Sequence, residues 1–385
     1  MIKVAVLGVG RLGICTALCL EKAGYDVYCY DINKNIIDSI NTRNMPSPEP
    51  GVTKMLSEAK NIHATTSLED VMNISIFFCV VATPSLEDGS YNHTYLDTLT
   101  NNIIQLLPSY SGKKIFNVCC TTMPGYCDIL QERLRPYNVD VCYNPEFIAQ
   151  GNILHDFVHP DMVLIGEANQ ESGDKLVEIY KNIVKTNPIY NRMSRTEAEL
   201  TKISINCFIT TKISFANTIG DMCVAKNLRP DIVLRAIGSD SRIGNKYLRW
   251  GHGYGGPCFP RDNRALSYYF QTQALKNYIG EATDITNKFH TDFLADKILD
   301  KLKTQQKNIL FRDLAYKPGT IILEESANLA LALRLIERGV NITIQESIPV
   351  IEQLQKIYPN KFSYISDNDD TSNYLVVDAS LRILI

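Results

Sequence analysis

Residues 8–13 read Gly8-Val9-Gly10-Arg11-Leu12-Gly13, a G-x-G-x-x-G set between an apolar run, Val4 to Leu7, and a helical stretch, Leu12 to Ala23. A chain with this junction near its start must build a strand, a tight turn and a helix whose backbones approach closely. Gly8 allows the turn, Gly10 removes the side chain that would block a pyrophosphate, and Gly13 lets the helix pack on the strand. Gly24 ends the helix, Asp26 to Tyr30 reads as the next strand, and Asp31 follows it, 23 positions after Gly8. The helix N-terminus offers N–H groups and a partial positive charge to phosphates. Asp31 can hold both ribose hydroxyls and would repel a 2′-phosphate, so NAD is expected rather than NADP. Taken alone the motif also serves ordinary turns; the complete strand–loop–helix–strand–acid unit is what points to a dinucleotide.

The rest of the first 190 or so residues keeps alternating strand and helix signals. Ile76 to Val81 and Ile115 to Cys119 are continuous apolar runs, as expected of strands buried on both faces of a parallel sheet. Ser194 and Glu197 form a capping box, and from Thr196 to about Ala225 there is no proline and one glycine, Gly220. That is a helix of about 30 residues, ~45 Å long at 1.5 Å per residue, of the kind that passes between domains or forms an interface. Shorter helices are expected up to about Leu302. Alternation then restarts with strands at Lys307 to Phe311 and Val340 to Ile344, a helix from Ala327 to Arg338 capped by Gly339, and a polar turn at Asp367 to Asp370. The expected fold is α/β: an N-terminal Rossmann-like parallel sheet, a central long-helix region, and a second, smaller Rossmann-like C-terminal domain. The boundaries fall at residues 1–192, 193–302 and 303–385, three parts for 385 residues.

Composition narrows the function. Lys plus Arg total 39 and Asp plus Glu total 42, a net charge of -3, so no basic excess points to nucleic acid or an anionic membrane. The longest apolar run, Ile76 to Ala82, is far short of a bilayer span, and the glycines and Arg11 break the opening stretch as a signal peptide. The eleven cysteines all lie at or before Cys258, an odd count without paired spacing that fits reduced thiols in a cytoplasmic protein. His155 and His159 stand i and i+4 near Asp156 and Asp161, but with no third ligand at useful spacing no metal is expected. Cys15 and Cys19 read as packing residues, and Tyr268, Tyr269 and Phe270 as core or interface.

One cysteine stands apart. Residues 251–262 read GHGYGGPCFPRD, four glycines and two prolines around Cys258. The glycines allow a ligand close to the backbone, a thiolate is the best side-chain nucleophile near neutral pH, and Asp262 could position a water or trade protons. A loop cysteine by itself is more often inert than catalytic. With a nicotinamide cofactor, though, a nucleophilic cysteine suits aldehyde oxidation: the thiol adds to the carbonyl, the adduct loses a hydride, and the thioester is hydrolysed.

Ten segments in order carry a resemblance over nearly the whole chain. They are GVGRLG at 8–13, YDINK at 30–34, EPG at 49–51, VATP at 81–84, TTMPG at 121–125, NPEFIAQG at 144–151, AELTKISINCF at 198–208, IGSDSRIGNKYL at 237–248, GYGGPCFPRD at 253–262 and LAYKPGT at 314–320. With them the chain resembles the nucleotide-sugar 6-dehydrogenase family. The resemblance implies four-electron oxidation of the C6 alcohol of a nucleotide sugar to a carboxylate with two NAD, UDP-glucose being the first substrate expected. UDP-N-acetylmannosamine, UDP-N-acetylglucosamine and GDP-mannose are the alternatives, and a non-catalytic nucleotide-sugar binder is the rival of another class. It implies Cys258 as the nucleophile, Lys202 as stabiliser of the oxyanion and aid to proton removal, and Asn206 as binder of the C6 oxygen. It implies Asp262 and Thr122 as orienters of water and Glu146 as the carboxylate of thioester hydrolysis. Lys202 and Asn206, i and i+4 on the long helix, share a face.

The same resemblance implies a cofactor site of Gly8, Gly10, Arg11, Leu12, Gly13, Asp31, Lys34, Thr83, Thr122 and Gln150. The substrate site would comprise Glu146, Phe147, Ile148, Ala149, Lys202, Asn206, Arg242, Tyr247, Arg249, Gly255, Tyr316 and Lys317, with the arginine at Arg242 able to come from a partner subunit. It implies an NAD-binding first part, a central helix that makes a homodimer, and an abbreviated UDP-sugar-binding third part. Some positions depart from the family: Gln150 stands where many relatives carry glutamate, Pro257 where serine is common, and Arg261 where lysine is. Residues 320–326, TIILEES, lack the usual acidic pair and arginine.

Overall fold

In the computed structural model, residues 1–305, 307–317, 319–381 and 384 are described. Pro318 of the LAYKPGT segment lies outside them. The chain divides into two compact units, Met1–Ile203 and Ser204–Ile385.

The first unit is built on eight strands: β1 (Lys3–Leu7), β2 (Asp26–Tyr30), β3 (Ile62–Thr65), β4 (Ile76–Cys79), β5 (Lys114–Val118), β6 (Val139–Tyr143), β7 (Met162–Gly166) and β8 (Ile189–Met193). Their order is β3-β2-β1-β4-β5-β6-β7-β8, so the first six follow the 3-2-1-4-5-6 order of a dinucleotide-binding sheet. Successive residues of β1 serve opposite faces. Val4 and Val6 pack with Ile14, Leu18, Leu176 and Ile179, and Ala5 and Leu7 with Phe77, Leu96, Leu99 and Phe116. A core on both faces is why these strands read as unbroken apolar runs.

Two details refine the expected parallel sheet. The sheet is not wholly parallel: β6 meets β7 through one antiparallel pair, Tyr143 with Gly166, and β7 and β8 are parallel to each other. The connection from β6 to β7 carries a helix of six residues, Ile153–Val158, instead of a full crossover helix, so the chain re-enters the sheet in the reverse sense. Strand β4 ends at Cys79, not Val81, because Val80 and Val81 turn over the glycine loop, where a Cβ on Gly8 would lie 2.9 Å from the Val80 carbonyl oxygen.

The long helix runs Arg195–Ala225, opened by the expected capping box: the Ser194 N–H donates to Glu197 Oε2 at 2.8 Å and the Glu197 N–H to Ser194 Oγ at 3.4 Å. It begins in the first unit and ends in the second. The second unit continues with helices Pro230–Gly238, Phe259–Thr272 and Tyr278–Gln305. A four-stranded sheet follows: β9 (Asn308–Phe311), β10 (Ile342–Ile344), β11 (Ser363–Tyr364) and β12 (Tyr374–Val377), all pairs parallel in the order β11-β10-β9-β12. Its core joins Ala216, Leu234, Trp250 and Leu294 to Ile309, Phe311, Leu331, Leu335 and Ile344. Helix Ala327–Glu337 ends at Gly339, whose φ of 82° takes the left-handed conformation expected of the C-cap glycine.

The closest approach of a glycine to backbone is at the glycine loop. A Cβ on Gly13 would sit 1.9 Å from the Gly8 carbonyl oxygen, which no side chain can share. Gly13→Ala is therefore expected to cost about 1–3 kcal/mol or more, read as a lower urea midpoint. An unchanged midpoint would show that this approach is not rigid.

Candidate active site

The glycine loop fits the expected dinucleotide. Helix Arg11–Lys22 starts at Gly10 with no side-chain cap and no acidic residue in its first turn, which leaves its N-terminus to an anion. Gly10 has nothing within 4 Å of an added Cβ, so open space lies over the backbone where a pyrophosphate would approach. The Asp31 carboxylate is fixed by two backbone donors, Val9 N–H to Oδ2 at 2.9 Å and Asn33 N–H to Oδ1 at 2.9 Å, and keeps lone pairs for ribose hydroxyls. Lys34 is exposed and pairs with Asp38 at 2.9 Å. The Arg11 guanidinium donates to Gln150 Oε1, tying the loop to segment 144–151. Thr83 Oγ1 donates to the Thr121 carbonyl at 2.7 Å.

Segment 144–151 brings Glu146 and Lys202 together. Lys202 Nζ donates to the Glu146 carbonyl at 2.7 Å and lies 4.4 Å from the centre of the Phe147 ring. The Glu146 carboxyl accepts the Tyr180 hydroxyl at 2.6 Å. Burial pushes this carboxyl up to about 7, although the Tyr180 hydrogen bond and the Lys202 charge pull the other way. A carboxyl that exchanges its proton near neutrality is suited to general base work. Ile148 is half-buried and Ala149 exposed, with the Ala149 N–H bonded to Asp156 Oδ2 at 2.9 Å.

Three groups that sequence reasoning did not single out hold this half. Glu49 accepts the Gly151 and Ile153 N–H groups at 2.8 and 2.7 Å, pinning the end of the segment. Glu199, fully buried, accepts the Thr122 hydroxyl at 2.8 Å and the Gly125 and Cys127 N–H groups at 2.6 and 2.9 Å. Tyr180 is the third. The EPG and AELTK segments were the only signals for the two glutamates; nothing local marks Tyr180.

In the second unit Asn206 and Asp262 meet, Asn206 Nδ2 donating to Asp262 Oδ2 at 2.6 Å with both residues buried. Cys258 directly precedes helix Phe259–Thr272 and is the one exposed cysteine among the described residues; the other ten are buried. Burial pushes the thiols of Cys19, Cys29 and Cys120 up to about 12, which keeps them protonated and inert. A Cβ on Gly255 would lie 2.1 Å from the Glu325 carbonyl oxygen, and one on Gly256 2.5 Å from the Tyr316 ring. Arg242 is exposed and held by Asp240 at 2.7 Å, Tyr247 packs edge-on to Phe259 with ring centres 6.4 Å apart, and Arg249 is exposed. Lys317 accepts the Thr320 N–H on its carbonyl at 3.2 Å.

The chain is similar to known proteins. Residues 2–184 match the UDP-glucose/GDP-mannose dehydrogenase family, NAD binding domain, and residues 196–288 match the central domain of the same family. A UDP-glucose 6-dehydrogenase of Pseudomonas aeruginosa is 30% identical over 365 residues, covering 90% of this chain and 79% of that one. A UDP-glucose dehydrogenase structure from Pyrobaculum islandicum superposes with a TM-score of 0.87 at 25% identity, covering 99% of this chain and 94% of that one. A UDP-D-ManNAc dehydrogenase structure from Pyrococcus horikoshii, at 21% identity, shares the fold with a TM-score of 0.79 over 99% of this chain and 96% of that one.

The Tyr180–Glu146 hydrogen bond has a titration consequence. A hydroxyl donated to a carboxylate favours the charged form, so Tyr180→Phe is expected to move the Glu146 midpoint above about 7. Carboxyl-carbon NMR of the full chain reads this, and a midpoint that stays or falls would contradict the arrangement.

Proposed function

Since the chain belongs to the UDP-glucose/GDP-mannose dehydrogenase family of NAD-dependent nucleotide-sugar oxidoreductases, we propose that it oxidises the C6 alcohol of UDP-glucose to the carboxylate of UDP-glucuronate. The observation that carries the reading is Cys258, the exposed thiol in a chain whose other cysteines are buried, placed ahead of a helix N-terminus that favours negative charge. Gly8, Gly10, Arg11, Leu12, Gly13 and Asp31 would hold NAD, which when bound would supply the hydride acceptor for each of two oxidations. Thr83, Lys34 and Gln150 complete that site.

The chain's own groups supply the rest. Lys202 steadies the oxygen at C6 as its proton leaves, and Asn206 donates to it. Cys258 Sγ forms a bond to the C6 carbon of the aldehyde, giving a thiohemiacetal and, after the second oxidation, a thioester. Thr122 and Asp262 orient the water that breaks the carbon–sulfur bond, and Glu146 takes the proton from that water. Carboxylate and free thiol result. Phe147, Ile148, Ala149, Arg242, Tyr247, Arg249, Gly255, Tyr316 and Lys317 hold the sugar and nucleotide.

The reading includes three working parts, 1–192, 193–302 and 303–385, and a homodimer through the long helix. Phe208, Phe215 and Met222 are exposed on that helix at seven-residue spacing, so they form one apolar stripe. Eleven cysteines outside any disulfide fit the reducing cytoplasm. Gln150 and Pro257 favour, as a second reading, the same chemistry on UDP-N-acetylmannosamine, UDP-N-acetylglucosamine or GDP-mannose.

With UDP-glucose and NAD, two NADH are expected for each sugar converted to the acid. Turnover of another sugar from that set in place of UDP-glucose would reassign the substrate, and turnover of none would overturn the reading. Cys258→Ser is expected to abolish acid formation; acid made at the parent rate would contradict the covalent route. Phe215→Glu is expected to shift the sedimentation coefficient to that of a monomer, and an unchanged value would contradict the stripe as the dimer contact.

A further inference from the structure

The loop that delivers Cys258 has little rigidity of its own. Residues 251–256 contain four glycines and form neither helix nor strand. Gly has the largest backbone entropy to lose, so something outside the loop must hold it.

A row of side chains from two helices does so. Asn217, on helix Arg195–Ala225, accepts the Gly251 N–H at 3.1 Å and donates from Nδ2 to the His252 carbonyl at 3.3 Å. Asn287, on helix Tyr278–Gln305, accepts the Tyr254 N–H on Oδ1 at 3.0 Å and donates from Nδ2 to the Tyr254 carbonyl at 3.0 Å. That is the two-bond exchange of an antiparallel strand partner, supplied by one amide side chain. His290, one turn further along and buried, faces the Gly251 carbonyl with Nε2 at 2.6 Å and Asp221 with Nδ1 at 2.8 Å. Asp221 also accepts the Trp250 indole N–H at 2.8 Å. Nearer the thiol, the Gly256 N–H donates to the Glu325 carbonyl at 3.0 Å.

The glycines answer to the clamp. A Cβ on Gly253 would lie 2.3 Å from Asn287 Oδ1, so Gly253 is required by the asparagine's approach, with no ligand needed to explain it. The Asn287 amide matches both polar groups of one residue, a fit neither aspartate nor glutamine reproduces: aspartate loses the donor, and glutamine adds a methylene.

We propose that Asn287 is a positioning residue for the reaction at Cys258, fixing the backbone of the cysteine loop at Tyr254 while Asn217 and His290 fix its entry at Gly251. The proposal rests on the reading of Cys258 as nucleophile. It differs from that reading in being a statement about loop order, which is measurable without turnover.

The test compares Asn287→Ala, Asn287→Asp and a control on the exposed side of the same helix, Lys288→Ala, in the full chain. Amide exchange over residues 251–258 and steady-state kinetics with UDP-glucose and NAD are both read. In Asn287→Ala, exchange is expected to speed up about tenfold, and the effect should extend to the Cys258 amide. kcat is expected to fall by about tenfold or more, with KM for NAD changed less than about twofold, as displacement of a nucleophile requires. Asn287→Asp, which keeps only the acceptor, should fall between parent and Ala, and Lys288→Ala should match the parent. Unchanged exchange, or faster exchange that stops short of Cys258, would overturn the proposal, as would faster exchange with an unchanged kcat. A parent chain that turns over no nucleotide sugar would instead sink the functional reading, and the exchange data would still decide the clamp.

Discussion

The first unit depends on one buried carboxylate. Glu199 is fully removed from water, and burial raises its proton affinity. An ionised carboxylate there is tolerable only with donors around it. It has three, from Thr122 and Gly125 in the turn that follows β5 and from Cys127 in the first turn of the helix Tyr126–Leu134. The turn that carries Thr122 and the helix that carries Lys202 are thereby fastened through a single side chain. The same bond constrains chemistry. The Thr122 hydroxyl spends its proton on Glu199, so toward a water it can act only as acceptor, and a water it orients must donate to it.

Much of this architecture was legible because its signals are local. The glycine loop, the apolar runs of β1, β4 and β5, the Ser194–Glu197 box and Gly339 each depend on residues a few positions apart, and the structure places them within one or two residues of expectation. The reversal at β7 left no such signal, since a short connection helix differs little in pattern from a full one. The polar supports were hidden for a different reason. Glu49 reaches Gly151 across 102 positions and Glu199 reaches Gly125 across 74. No periodicity or spacing records a contact of that range.

The site residues divide the same way. Cys258 stood out by its glycine and proline surroundings, and the fold isolates it further by burying every other thiol. Glu146 was legible only through its motif; its capacity to hold or release a proton near neutrality comes from burial and from Tyr180, 34 positions away. Gly253 read as room for a ligand, yet it makes room for Asn287. Glycines of one loop thus serve different demands, and only the packing around each separates them.

The central claim is that Cys258 carries the sugar as a thioester during oxidation. Acid-quenched turnover of a Glu146→Gln variant with UDP-glucose and NAD, followed by peptide mass spectrometry, tests it directly. Removing the carboxyl proposed as base should slow hydrolysis, so the account predicts a UDP-glucuronosyl mass on the peptide containing Cys258. NADH production with that peptide unmodified would contradict it.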